Sequence, residues 1–164
     1  MKVDISHISK VDGASLELEI SENLEGLESS VEGFEFEDPV DFKGTLVNIG
    51  GILKLDGHLD VAYTSKCSRC LKDLKSEMSV TIRESFVNGE KLADEDSYTY
   101  EGNYVSIDKA LKDNIVLNLP VRQLCTEECK GLCKICGGDL NAKDCDCKEE
   151  TMNPQMEVLK NFFS

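Results

Sequence analysis

The chain of 164 residues contains no tryptophan, four tyrosines, six phenylalanines and only two histidines. Those histidines, His7 and His58, stand in no ligand motif. A catalytic zinc needs an open coordination position, with a histidine or acid usually nearby, so their scarcity disfavours metal-dependent catalysis. Basic residues are also few, 18 against 32 acids, for a net charge of −14. Such a surface repels phosphate backbones and favours basic partners. No apolar run approaches the ~20 residues of a membrane span. The opening MKVDISHISKVDGA lacks the apolar core of a secretory signal, so a cytoplasmic protein with no membrane partner is expected. Internal repeats and low-complexity segments are missing as well.

Cysteine is what the chain has in excess. Six of its eight cysteines fall between Cys125 and Cys147, in CTEECKGLCKICGGDLNAKDCDC, and Cys67 and Cys70 form a separate C-x-x-C upstream. In a reducing compartment such clusters read as metal ligands rather than disulfides. Two cysteines spaced by two residues can turn back on one ion, and the cation favours their thiolates. Cys133-Lys134-Ile135-Cys136 ends in Gly137, which permits the tight turn that brings backbone N–H groups toward the sulfurs. Grouped with Cys145 and Cys147, this pair completes one four-sulfur site. Cys67, Cys70, Cys125 and Cys129 then make a second, and the expected cofactor is two Zn2+ per chain. A competing grouping puts Cys125, Cys129, Cys133 and Cys136 together but leaves two distant pairs without partners. An iron–sulfur cluster would use the same ligands, yet its tight C-x2-C-x2-C run is lacking.

The remaining sequence reads as α+β: a mainly antiparallel β domain over residues 1–120, with a few short helices, followed by a cysteine-rich zinc module with its helix over residues 121–164. Twelve acids against Lys2 and Lys10 crowd residues 1–42, where Leu16, Leu18 and Ile20 alternate with Glu17 and Glu19 as in a half-buried strand. These acids read as a solvated face or as a docking surface for a basic partner. Pro39 marks a break before the next strand. From Val40 to Val87 the pattern is β, with turns expected at Gly50-Gly51 and Asp56-Gly57. Met78, Val80, Ile82 and Phe86 share one strand face, from which Glu84 departs. The first C-x-x-C lies on a strand-to-strand turn. Residues 88–103 read as an acidic excursion. Asp108 is placed to cap a helix ending at or before Asn118-Leu119-Pro120, and a last helix is expected from Asn153 and Pro154, burying Met156, Leu159 and Phe162 or Phe163.

Cys67-Ser68-Arg69-Cys70-Leu71, Leu117-Asn118-Leu119-Pro120, and Cys129-Lys130-Gly131-Leu132-Cys133 running into Cys136-Gly137 together resemble the bacterial YceD family, the large ribosomal RNA subunit accumulation proteins. Leu140-Asn141 and the stretch from Asn153-Pro154 to Leu159-Lys160 extend the likeness, which covers about residues 40–163. Lys134 stands where that pattern has proline, and Asn153-Pro154 where it has Asp-Pro; neither position is a ligand. The resemblance implies a non-enzymatic role in accumulation or processing of 23S ribosomal RNA and in large-subunit assembly.

Two further classes fit the cysteines: a thiol-based redox sensor or redox-controlled chaperone with releasable zinc, and a metal-dependent RNA-processing enzyme. One concentrated basic stretch, Lys66, Arg69, Lys72 and Lys75, surrounds the first C-x-x-C and is the candidate RNA contact or a solvated turn. Four thiolates on a divalent ion leave about −2 per site, which opposes RNA further. The expected direct partner is therefore a basic ribosomal protein or assembly factor, with ribosomal RNA reached indirectly.

Overall fold

Three long strands carry the fold: β3 (Phe34–Ile49), β4 (Ile52–Lys66) and β5 (Asp73–Asn88). They belong to a computed structural model that describes residues 1–24, 26, 27, 31–89 and 97–147; the helix expected from Asn153 lies outside them. In chain order the elements are β1 (Lys2–Asp4), β2 (Ser15–Glu22), these three strands, β6 (Tyr98–Tyr100), β7 (Tyr104–Ser106) and α1 (Asp108–Asn118). The chain divides into two units. One comprises Met1–Lys66 and Asp73–Gln123; the other comprises Cys67–Lys72 and the residues from Leu124 onward.

In the first unit a five-stranded sheet runs in the order β2-β3-β4-β5-β6. Its strands pair antiparallel, except that β6 adds parallel to β5, with Phe86 opposite Tyr98. A second sheet pairs β1 with β7, Val3 opposite Val105. The architecture is α+β, with one α-helix among the described residues and a sheet that is mixed rather than wholly antiparallel. That helix is too short to cross a membrane.

Alternation decides which side of the sheet meets the core. Leu53, Leu55, Leu59, Val61 and Tyr63 of β4 point inward, joined by Phe42 and Leu46 of β3 and by Val80, Ile82 and Phe86 of β5. The same cluster takes in Val3, Ile5 and Ile8 from the N-terminal segment, Val105 and Ile107, and Ala110, Leu111 and Ile115 of α1. Glu84, the odd residue on that face of β5, is accounted for by α1: its carboxylate accepts a hydrogen bond from Asn114 Nδ2 at 2.6 Å. Buried Asn48 fastens the N-terminal segment, donating to the carbonyls of Ile8 at 2.7 Å and Ser9 at 3.1 Å and accepting from the Gly51 N–H at 2.9 Å. Gln123, where this unit ends, is held by Tyr63 and Ser65.

Three expectations change. Gly50-Gly51 is the β3–β4 turn, with φ of +62° and +86°, but Asp56-Gly57 lies inside β4. Gly57 pairs with Gly44 of β3, and a methyl group on it would sit 2.5 Å from the Lys43 carbonyl oxygen and 2.7 Å from Gly44 Cα. The glycine serves close backbone approach, not a turn. Pro39 does not separate strands: it lies within β3 where the register with β4 shifts between Glu37 and Asp41, a bulge that spares the ladder its missing N–H. Asp108 does not cap α1. Ile107 holds the N-cap position without a side-chain bond, and the Asp108 carboxylate accepts from the Met1 amine at 2.8 Å.

Candidate metal centres

The second unit is built from two copies of one turn. In Cys67–Lys72 the Leu71 N–H donates to the Cys67 carbonyl at 3.0 Å, and the Cys67 N–H donates to the Lys72 carbonyl at 2.8 Å. In Cys133–Gly138 the Gly137 N–H donates to Cys133 at 2.9 Å, and the Cys133 N–H to Gly138 at 2.8 Å. Both turns need a left-handed residue just after the second cysteine. Gly137 supplies it at φ +71° without strain, whereas Leu71 adopts φ +60° as a non-glycine residue, 59 % exposed.

Each turn offers two sulfurs, and a second cysteine pair meets each. The Sγ atoms of Cys67, Cys70, Cys125 and Cys129 all lie within 4.8 Å of one another, as do those of Cys133, Cys136, Cys145 and Cys147. All eight candidate ligands are thus brought together, grouped as the turn spacing favoured; the local grouping of Cys125, Cys129, Cys133 and Cys136 is not the one formed. The Cys67 and Cys129 sulfurs are 3.8 Å apart and those of Cys70 and Cys125 3.5 Å. A tetrahedral ion with Zn–S bonds of ~2.3 Å requires sulfur–sulfur edges of ~3.8 Å, whereas a disulfide requires ~2.05 Å. All eight cysteines are free thiols. Each quartet therefore has the donor set and the size for one metal ion. Burial separates them: Cys67, Cys70 and Cys129 are buried, while Cys133 and Cys145 are half-buried and Cys136 is exposed.

Backbone donors single out the first sulfur of each turn. Burial opposes ionisation of Cys67, but the N–H groups of Cys70, Arg69 and Cys125 outweigh it and bring the thiol down to about 6. Cys133 comes down to about 6 chiefly through the N–H groups of Cys136 and Ile135. For Cys70 the Lys72 N–H favours the anion, yet burial and the thiols of Cys67, Cys125 and Cys129 push it up to about 12. Cys136, then burial, pushes Cys147 up to about 12. One thiolate in each group discourages others until a cation sits among them.

The basic stretch does not form one patch of spare cations. Arg69 Nη1 donates to the Cys129 carbonyl at 2.7 Å. Lys72 pairs with Asp139 at 3.0 Å, and Lys75 with Glu37 at 2.8 Å. Lys66, the last residue of β4, is exposed. Gly131 lets the chain pass Arg69: it is buried at φ +78°, and a Cβ there would lie 3.1 Å from the Arg69 carbonyl oxygen, which accepts the Leu132 N–H. Sequence reasoning on the residues missed Asp139 and Asn141. The Asn141 N–H donates to Asp139 Oδ1 at 2.9 Å, and Asn141 Nδ2 reaches the Cys129 sulfur at 3.5 Å. The Asp-x-Asn spacing, a local side-chain-to-backbone turn, was the available signal.

A family model described as large ribosomal RNA subunit accumulation protein YceD matches residues 55–163, which include all eight cysteines. The chain belongs to the YceD family. A chloroplast YCED homolog of Arabidopsis thaliana, named a large ribosomal RNA subunit accumulation protein, is 33% identical over 58 residues, 35% of this chain and 18% of its own length. Uncharacterised proteins of Mycobacterium tuberculosis and Mycobacterium bovis are 25% identical over 114 residues, 66% of this chain and 54% of theirs. The chain thus spans about half the length of the mycobacterial relatives and under a fifth of the plant one. No solved structure matches it significantly.

Proposed function

We propose that this YceD-family chain is a non-enzymatic ribosome-biogenesis factor that supports 23S ribosomal RNA accumulation and large-subunit assembly, with one zinc ion held by each cysteine quartet. The family description supplies the ribosomal link. The observation that carries the metal half is the gathering of all eight cysteines into two four-sulfur groups, the sulfurs of each within 4.8 Å of one another and two pairs in the first at the spacing of a tetrahedral edge. In such sites the metal's binding energy is also folding energy, so the ions act as structural staples of the second unit. Direct contact falls to a basic ribosomal protein or assembly factor, argued from the −14 charge.

Two measurements test this reading. Protein purified in reducing buffer without added metal is expected to contain two zinc ions per chain by elemental analysis; one ion, or iron as the main metal, sinks the zinc assignment. Cells depleted of the protein are expected to lose 23S relative to 16S ribosomal RNA. An unchanged ratio sinks the ribosomal role. The exposure of Cys136 favours a second reading, in which peroxide releases the metal of its quartet and forms a reversible disulfide; zinc retained at low peroxide excludes it.

A further inference from the structure

The loop that joins the ligand pairs of the second quartet, from Gly137 to Asp144, reaches into the first. Its Asn141 donates Nδ2–H to the sulfur of Cys129 at 3.5 Å and accepts the Lys130 N–H on Oδ1 at 2.8 Å, next to that ligand. The Leu140 N–H donates to the Gly131 carbonyl at 3.0 Å. Asp139 steers Asn141 by accepting its N–H at 2.9 Å and its Nδ2–H at 2.7 Å. The other Asp139 oxygen pairs with Lys72 at 3.0 Å, and the Lys72 carbonyl accepts the Cys67 N–H. The loop's bonds therefore end on, or one step from, two ligands of the other quartet.

We propose that Asp139 and Asn141 couple the two metal sites: an ion at Cys133, Cys136, Cys145 and Cys147 fixes both ends of the loop, places Asn141 against Cys129, and so strengthens the first quartet's hold on its own ion. The inference rests on the two-ion reading above. A hydrogen bond to a ligating atom orients it and tunes its charge, and losing one costs ~10–100-fold in metal affinity. Coupling between two sites is reciprocal, so the first ion also stabilises the second site. Asn141 is a positioning residue. It binds no ion itself.

The test uses the full chain loaded with cadmium-113, whose nuclear resonance reports each four-sulfur site separately, and follows loss of each resonance to a competing chelator. Asn141→Ala removes the donor. Asn141→Asp also removes it, together with the Nδ2–H bond to Asp139, but keeps an acceptor for the Lys130 N–H, so it tests whether that one anchor sustains the first quartet without the amide donor. Both are expected to shift the first quartet's resonance and to speed its loss on the order of tenfold. Cys147→Ser, which breaks the second quartet, is expected to weaken the first similarly, and the double variant Asn141→Ala with Cys147→Ser no further, because both act through one contact. An unmoved first resonance in both Asn141 variants, or effects that multiply in the double variant, overturns the coupling. Fewer than two resonances in the unaltered protein overturns the two-ion reading and the coupling with it.

Discussion

Gly44 and Gly57 face one another across β3 and β4, and the Phe42 ring lies against both positions: a Cβ on Gly44 would meet it at 2.7 Å, one on Gly57 at 2.9 Å. Neither glycine has a positive φ, so what each provides is absence of a side chain. Phe42 is fully buried, and its ring fills the space that two Cβ atoms would otherwise take. Gly57→Ala is therefore expected to destabilise the first unit by at least the ~1–3 kcal/mol typical of overpacking, since the obstacles are backbone atoms that cannot swing away. Urea denaturation of the two proteins measures it, and a midpoint within error of the unaltered protein rejects the glycine-pair account. Asp56-Gly57 misled the sequence reading because the pair suits a hairpin turn and a crowded strand equally. Only the partner strand distinguishes them, and nothing near Gly57 in the sequence names Gly44 as its neighbour.

At the scale of elements, the cysteine turns are one device used twice with different residues at the strained position. Gly137 fits the left-handed conformation, while Leu71 carries a side chain there at a cost of ~1–2 kcal/mol. Glycine loses more chain entropy on folding, ~0.5–1 kcal/mol, so Leu71→Gly is expected to stabilise the turn by up to about 1 kcal/mol. Little burial is lost, because Leu71 is 59 % exposed. Slower loss of metal from the first quartet to a chelator than in the unaltered chain is the expected readout; faster loss means that Leu71 packs in a way its exposure conceals. The repeated C-x-x-C and the complement of eight cysteines make both quartets legible in the sequence alone. The period of β2, the Gly50-Gly51 turn and the extent of α1 were legible too, since each follows from local periodicity or turn chemistry. Three-residue β1, β6 and β7 were not, because so short a strand has no period and exists only through its partner: β6 adds in parallel to β5 after an intervening acidic stretch. Asp139 and Asn141 escaped for a related reason, their value lying in contacts with Lys72 and with Cys129 and its neighbour.

Across the whole chain, charge is the dominant fact, and the sheet of the first unit gives part of it a face. Opposite the core, β2 to β5 expose Glu17, Glu19, Glu35, Asp41, Asp60 and Glu77. Some acids on this side are answered: Lys43 pairs with Glu19 at 2.6 Å, Lys75 with Glu37 at 2.8 Å and Arg83 with Asp56 at 3.5 Å. Asp41 and Asp60 stand directly across from one another in the β3–β4 register and share the field of the Lys43 ammonium, which Glu19 already engages; like charges so placed destabilise a sheet. A basic polypeptide on this face would relieve that repulsion. RNA would add to it, and affinity for RNA rests largely on Lys and Arg neutralising phosphates. The isolated protein is accordingly expected to bind naked ribosomal RNA weakly or not at all, and to associate with a basic ribosomal protein in a salt-sensitive way. Titration against both at two salt concentrations decides between them. The control substitutions must avoid Arg69 and Lys72, whose bonds to the Cys129 carbonyl and Asp139 would tie any loss of binding to the metal sites. Lys66 and Lys75, the other basic residues of that stretch, are the informative ones to reverse. Tight RNA binding lost in Lys66→Glu with Lys75→Glu, with both metal ions retained, would place the RNA contact on β4 and β5 and leave the acidic face without its proposed partner.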